Sequence, residues 1–124
     1  MSPRQRILIA GETARETETW MDYLASLDCD IKVLPTAEVL EYVADWQPDL
    51  VVLDPIDCGF DIGRQIKRNG GNLKTMVLVV TQLNELGDIE RAVEAGTDDF
   101  LSKPINKAEF LKRVESLLKS SGQR

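Results

Sequence analysis

Two short runs in this chain, residues 50–53 (LVVL) and 76–80 (MVLVV), are apolar without interruption, and this limits the fold more than any other feature. A strand with one face in water alternates apolar and polar residues, whereas a continuous run requires cover on both faces, as at the centre of a parallel sheet. Further β-rich runs occur at 6–11 (RILIAG), 30–34 (DIKVL) and 99–101 (DFL), and the two central runs extend to 49–54 and 75–81. Helical segments separate them. In TARETETWMDYLASL, Thr13 and Glu16 have capping-box spacing, and Trp20, Leu24 and Leu27 share one face. Thr36 is the expected cap of the next helix, with Val39, Leu40, Val43 and Trp46 as its stripe. A third helix from about Phe60 ends at Gly70-Gly71 and a fourth at Gly96. Asn106 and Glu109 open a fifth, which turns Phe110, Val114, Leu117 and Leu118 inward. Both tryptophans lie on these stripes and read as core.

Strict alternation of five strands with helices predicts an α/β fold: a doubly wound five-stranded parallel sheet with right-handed crossovers and helices on both faces. At 124 residues and 43% hydrophobic content, residues 1–124 read as one domain. Its core is expected at about 5–119, with frayed ends. The formal net charge of -6 argues against direct nucleic-acid binding. Cys29 and Cys58 lack metal or redox spacing, and neither a signal peptide nor a membrane span is evident, so a cytoplasmic location with free thiols is expected. The absence of histidine excludes imidazole catalysis and self-donation from a phosphohistidine.

In open parallel sheets, ligands gather beyond the carboxyl ends of the strands where the strand order reverses. The first run ends in Gly11-Glu12, the third in Asp54 and the fourth in Thr81, while the fifth leads into Lys103-Pro104. Two acids, a hydroxyl and an ammonium are therefore predicted on one rim. An ionised Asp54 beside buried hydrocarbon needs surrounding charge or hydrogen bonds. Two carboxylates and a loop carbonyl suit Mg2+, and Lys103 and Thr81 suit phosphoryl oxygens. Asp54 is then a nucleophile able to form an acyl phosphate. Taken singly, Glu12 also fits a first-turn helix acid, Thr81 a strand-end hydroxyl, Lys103 a surface charge and Phe100 plain core. Their joint placement favours a site.

The segments PDLVVLDPIDCGFDIG, VVTQ and EAGTDDFLSKP, in this order and spacing, resemble the receiver domain of bacterial two-component response regulators over essentially the whole chain. The resemblance implies a flavodoxin-like sheet of order 2-1-3-4-5. It also implies that Asp54 is the phospho-acceptor, with Mg2+ held by Glu12, Asp54 and the main-chain carbonyl of Ile56. Lys103 then contacts the phosphoryl group, and Thr81 and Phe100 form the switch pair. A histidine kinase or phosphotransfer protein is the implied donor. The implied output is a protein target bound through the fourth helix, fifth strand and fifth helix, with no membrane partner and no enzyme activity beyond assisting its own transfer and dephosphorylation.

Several pocket positions depart from the family pattern. Gly11 replaces the first of two consecutive acids; a carboxylate about 5 Å from a divalent ion contributes roughly 2–3 kcal/mol at an effective dielectric of about 50. Its loss corresponds to about a hundredfold in affinity. Asp57 is a nearby acid that could restore charge, although a solvated loop position is the simpler reading. Gln82 is bulky where a small residue is usual, and Pro55 stiffens the loop after the acceptor. Ile56 and Leu83 are apolar at positions where polar side chains assist water attack, which predicts a long-lived phosphoryl group. These departures support an alternative: a pseudo-receiver that acts as a phosphorylation-independent protein-interaction module. A nucleotide-binding or flavin-binding enzyme is disfavoured, because no Gly-rich loop follows the first strand.

Overall fold

A computed structural model describes residues 5–11, 14–53, 75–81, 98–102 and 105–122. Five strands, β1 (Gln5–Ala10), β2 (Cys29–Leu34), β3 (Leu50–Leu53), β4 (Met76–Thr81) and β5 (Asp99–Ser102), form one parallel sheet in the order β2-β1-β3-β4-β5. The described helices are α1 (Ala14–Leu24), α2 (Val39–Trp46) and α3 (Lys107–Gly122). The expected third and fourth helices, with their glycine ends at Gly70-Gly71 and Gly96, lie outside the described residues.

The continuously apolar strands are covered on both faces. Residues 7–10, 50–53 and 77–80 are 0% exposed, and successive residues enter opposite cores. Ile7, Ile9, Val52, Leu78 and Leu101 face Trp20, Leu24, Phe110 and Val114 from α1 and α3. Leu8, Ala10, Val51, Leu53, Val77 and Val79 face Val39 and Val43 of α2, with Phe100 and Trp46 at the margin. Burying one such aliphatic side chain contributes about 1.5–3 kcal/mol. Phe110 joins α3 to α1, its ring centroid 6.3 Å from that of Trp20 and 6.2 Å from that of Tyr23. The inward stripe expected for the last helix is therefore the one observed.

Strand bounds agree with the sequence reading to within a residue; two helix ends do not. α1 stops at Leu24, where Ala25 N–H donates to Asp22 O and Leu27 N–H to Leu24 O, tightening the chain into three-residue turns. Leu27 consequently reaches the core from a turn. The N-cap position of α2 falls on Glu38, two residues beyond the expected Thr36. Pro35 O accepts the Glu38 N–H at 3.0 Å, which winds residues 36–38 into a 3-10 turn and moves the N-cap to Glu38, without a side-chain bond. Asn106 does cap α3, its Oδ1 accepting the Glu109 N–H at 3.1 Å. Trp20 is core as expected, while Trp46 is half-buried and lies under the Arg6 guanidinium, 5.7 Å from the ring centroid.

The amino-terminal edge of the sheet is closed by carboxylates. Asp49 donates its N–H to Arg6 O and accepts the Arg6 N–H at Oδ2 (2.9 Å), while its carbonyl takes the Met76 N–H. Asp98 does the same for β4, donating to Val77 O and accepting the Val77 N–H at Oδ2 (2.8 Å). Thr75, fully buried, donates its hydroxyl to Pro48 O. Each aspartate thereby extends a ladder by one step, leaving the opposite edge to hold chemistry.

Replacing the fully buried Phe110 in Phe110→Ala is expected to destabilise the domain by about 3–5 kcal/mol, read as a lower urea midpoint at unchanged slope. A change of opposite sign is expected at Gln47, which closes α2 in the left-handed region (φ 50, ψ 64). Because glycine removes the Cβ clash there, Gln47→Gly should stabilise by about 0.5–1 kcal/mol in the same titration.

Candidate functional site

All five strands run the same way, so their carboxyl ends share one edge. The order β2-β1-β3 reverses the direction of strand addition at β1, so the crevice of such a sheet opens beyond the ends of β1 and β3. Ala10 pairs with Leu53, Leu53 with Val79, and Val79 with Phe100. These four residues form one row across the sheet, and all four belong to the core on the α2 side. Two positions further along the sheet, Thr81 and Ser102 are register partners.

This row locates the rim. Gly11 directly follows β1, half-exposed, and donates its N–H to Leu34 O at 3.2 Å. It offers no side chain, and its amide is committed to the β2 side. Thr81 is the last residue of β4, and Phe100 stands in β5 with its ring half-buried. The register thus brings Gly11, Thr81 and Phe100 to one edge. Glu12, Asp54, Ile56, Asp57, Gln82 and Lys103 lie outside the described residues, as do Pro55 and Leu83. In the sequence, however, Asp54 follows Leu53 and Lys103 follows Ser102, both of which are in the ladder.

Among the described residues, no group of three or more His, Cys, Asp and Glu could hold a metal ion. The donor set named from the sequence, two carboxylates and a main-chain carbonyl, consists wholly of oxygen and suits a hard divalent cation. The backbone is compatible with that set. Ala10 and Leu53, which precede Glu12 and Asp54 by two residues and one, are partners on adjacent strands, whose usual separation is about 4.8 Å.

A charged contact missed in the sequence borders Phe100. Asp99 Oδ1 accepts the Phe100 N–H at 2.8 Å, and Arg113 Nη1 of α3 donates to Asp99 Oδ1 at 2.7 Å and Oδ2 at 2.8 Å. The hydrogen bond from Arg113 to Asp99, and then the carboxylate's charge, raise the arginine's pKa above its ordinary value; burial opposes this and Glu109 adds a lesser increase. Nothing in the sequence flags the pair, because a strand residue and a helix residue 14 positions apart share no periodicity.

The profile of the response regulator receiver domain matches residues 7–115. The phosphate regulon transcriptional regulatory protein PhoB of Pseudomonas aeruginosa is 26% identical over 102 residues, covering 80% of this chain and 44% of that protein. The transcriptional regulatory protein CiaR of Streptococcus pneumoniae is 29% identical over 121 residues, covering 95% and 53% respectively. The chain therefore spans about half the length of these relatives. A CheY-like response regulator receiver domain protein from Methanospirillum hungatei JF-1 superposes with a TM-score of 0.87, covering 98% of each chain at 18% identity, a likeness of fold. Profile, relatives and topology agree: this chain belongs to the response regulator receiver domain family.

Proposed function

We propose that this chain is a phosphorylation-dependent signalling switch that accepts a phosphoryl group on Asp54. The observation supporting this most directly is the register row Ala10–Leu53–Val79–Phe100, which aligns the strands leading to Glu12, Asp54, Thr81 and Lys103 at one edge. The donor implied by membership of the receiver family is a histidine kinase or phosphotransfer protein; this chain has no histidine with which to serve as its own phosphohistidine donor. The Asp54 carboxylate attacks phosphorus, the phosphorus–nitrogen bond of the donor's phosphohistidine breaks, and the imidazole leaves with its electron pair. Glu12, Asp54 and the carbonyl of Ile56 hold Mg2+, which when bound offsets the phosphoryl charge. Lys103 pairs with a phosphoryl oxygen, Thr81 donates its hydroxyl to another, and Phe100 reorients in response.

The protein's own part is confined to assisting this transfer and its own dephosphorylation, so it is not an enzyme acting on a separate substrate. Output passes to a protein target through the surface that includes β5 and α3, without direct nucleic-acid contact by this domain. The proposed site of action is cytoplasmic. Among the described residues, no helix is long and apolar enough to cross a membrane.

One observation favours a second reading, a pseudo-receiver that binds partners without phosphorylation. Gly11 brings no carboxylate to the rim, and its amide is engaged by Leu34. The acidic pocket is weakened on that side.

The two readings diverge in one experiment. Incubation with Mg2+ and a small-molecule phosphodonor should add one phosphoryl group by intact mass, and Asp54→Asn or chelation of the metal should abolish it; a folded wild-type protein that gains no mass supports the pseudo-receiver. Once formed, the acyl phosphate should persist for hours, because Ile56 and Leu83 cannot orient an attacking water. Decay within seconds in the purified protein would contradict that role.

A further inference from the structure

We propose that Arg113 is a positioning residue for Phe100, acting through Asp99. The inference rests on the switch reading above and assigns a residue to it. β5 is held at its entrance from two sides. Asp98 reaches inward, its Oδ2 accepting the Val77 N–H and its own N–H donating to Val77 O. Asp99 reaches outward, accepting the Phe100 N–H and receiving Arg113 from α3 on both carboxylate oxygens. The amide that fixes the main-chain direction at Phe100 is therefore tied to a side chain that is itself pinned by α3.

The pair contributes little to holding the fold. Its side chains are 42% and 24% exposed, a setting in which an ion pair adds little net stability. α3 is anchored independently by Phe110 and Val114, both fully buried. What the pair restrains is local. The Phe100 ring sits at the margin of the core that contains Ala10, Leu53 and Val79, so the direction in which its Cα–Cβ bond leaves the strand decides how it meets that row. A main chain fixed in advance has less freedom to lose when the ring is ordered, so the response to a ligand on the rim is stronger with the pair intact.

The test uses Arg113→Met, Arg113→Lys and Asp99→Ala in the full chain. Because Arg113 contacts both oxygens through a single nitrogen, a lysine ammonium can replace it. Without any phosphodonor, amide exchange at Phe100 should accelerate about tenfold or more in Arg113→Met and Asp99→Ala, with Leu101 unchanged and Arg113→Lys close to wild type. With Mg2+ and beryllofluoride, the midpoint of the Phe100 response should rise about threefold or more in Arg113→Met and return in Arg113→Lys. Unchanged exchange at Phe100 in both disruptive variants overturns the proposal, as does acceleration spread over the whole domain, which would mark a merely structural pair. A wild-type protein silent to beryllofluoride refutes the phospho-acceptor reading alone, because exchange at Phe100 without a donor still decides the positioning role.

Discussion

The double-sided burial of β1, β3 and β4 is the constraint from which the rest of the structure follows. With both faces of these strands sealed, a polar side chain on them loses its hydration, and every buried backbone amide must find a partner within the protein, in the ladder or on a side chain. Polar function is therefore driven to the two edges where the strands begin and end. The net stability of a domain is typically about 5–15 kcal/mol, so a handful of these buried side chains matches the whole of it. The interior is consequently a poor place for adjustable chemistry, and the edges are the natural one.

The two edges use the same residue type for different ends. At the start of the strands, Asp49 and Asp98 turn their carboxylates back onto the amides of Arg6 and Val77, so each accepts a backbone donor of the sheet. Those aspartates act as extra rungs of the sheet. An aspartate that follows a strand, as Asp54 follows Leu53 in the sequence, stands at the carboxyl edge instead, where an open parallel sheet receives ligands. Position relative to strand direction, rather than residue type, separates a structural carboxylate from a candidate reactive one. Gly11 sharpens the contrast: at the carboxyl end of β1 it supplies only an amide, and Leu34 takes it.

Much of this was legible in the sequence because continuous apolar runs have few alternatives. Residues 50–53 and 76–80 declare two-sided burial, and the alternation with helices then gives the layering; the strand order came from the family resemblance. The legible features were those in which a short window determines the outcome, such as Asn106 capping α3. Where two local rules competed, the sequence misled. Thr36 is a good cap in isolation, yet Pro35 just before it accepts the Glu38 amide and starts a 3-10 turn instead. Contacts between distant segments left no trace: neither the Arg6–Trp46 stacking nor the Asp99–Arg113 bridge follows a period that a reader could count. For the candidate site, Phe100 and Thr81 were placed on the correct strands; the strand-end positions of Asp54, Glu12 and Lys103 pointed to a phosphoryl-binding rim, and the family resemblance then assigned each its individual role.

The sheet also suggests where a response would be concentrated. β1 has ladder partners on both sides and lies wholly inside the core from Ile7 to Ala10. β5 has four residues, pairs only with β4 among the described strands, and buries Leu101 while leaving Asp99 and Phe100 partly exposed. Fewer bonds restrain it, so its displacement costs less than that of any central strand. Yet its entrance is fastened by Asp98 on one side and Asp99 on the other, while its exit at Ser102 runs straight into the Lys103-Pro104 segment of the sequence. A short edge strand fixed at one end can change at the other without breaking the sheet. In a switch of the kind proposed, that asymmetry lets an event at the carboxyl rim act on the Ser102 end of β5 and on the half-buried Phe100 ring while the main chain at the entrance stays fixed.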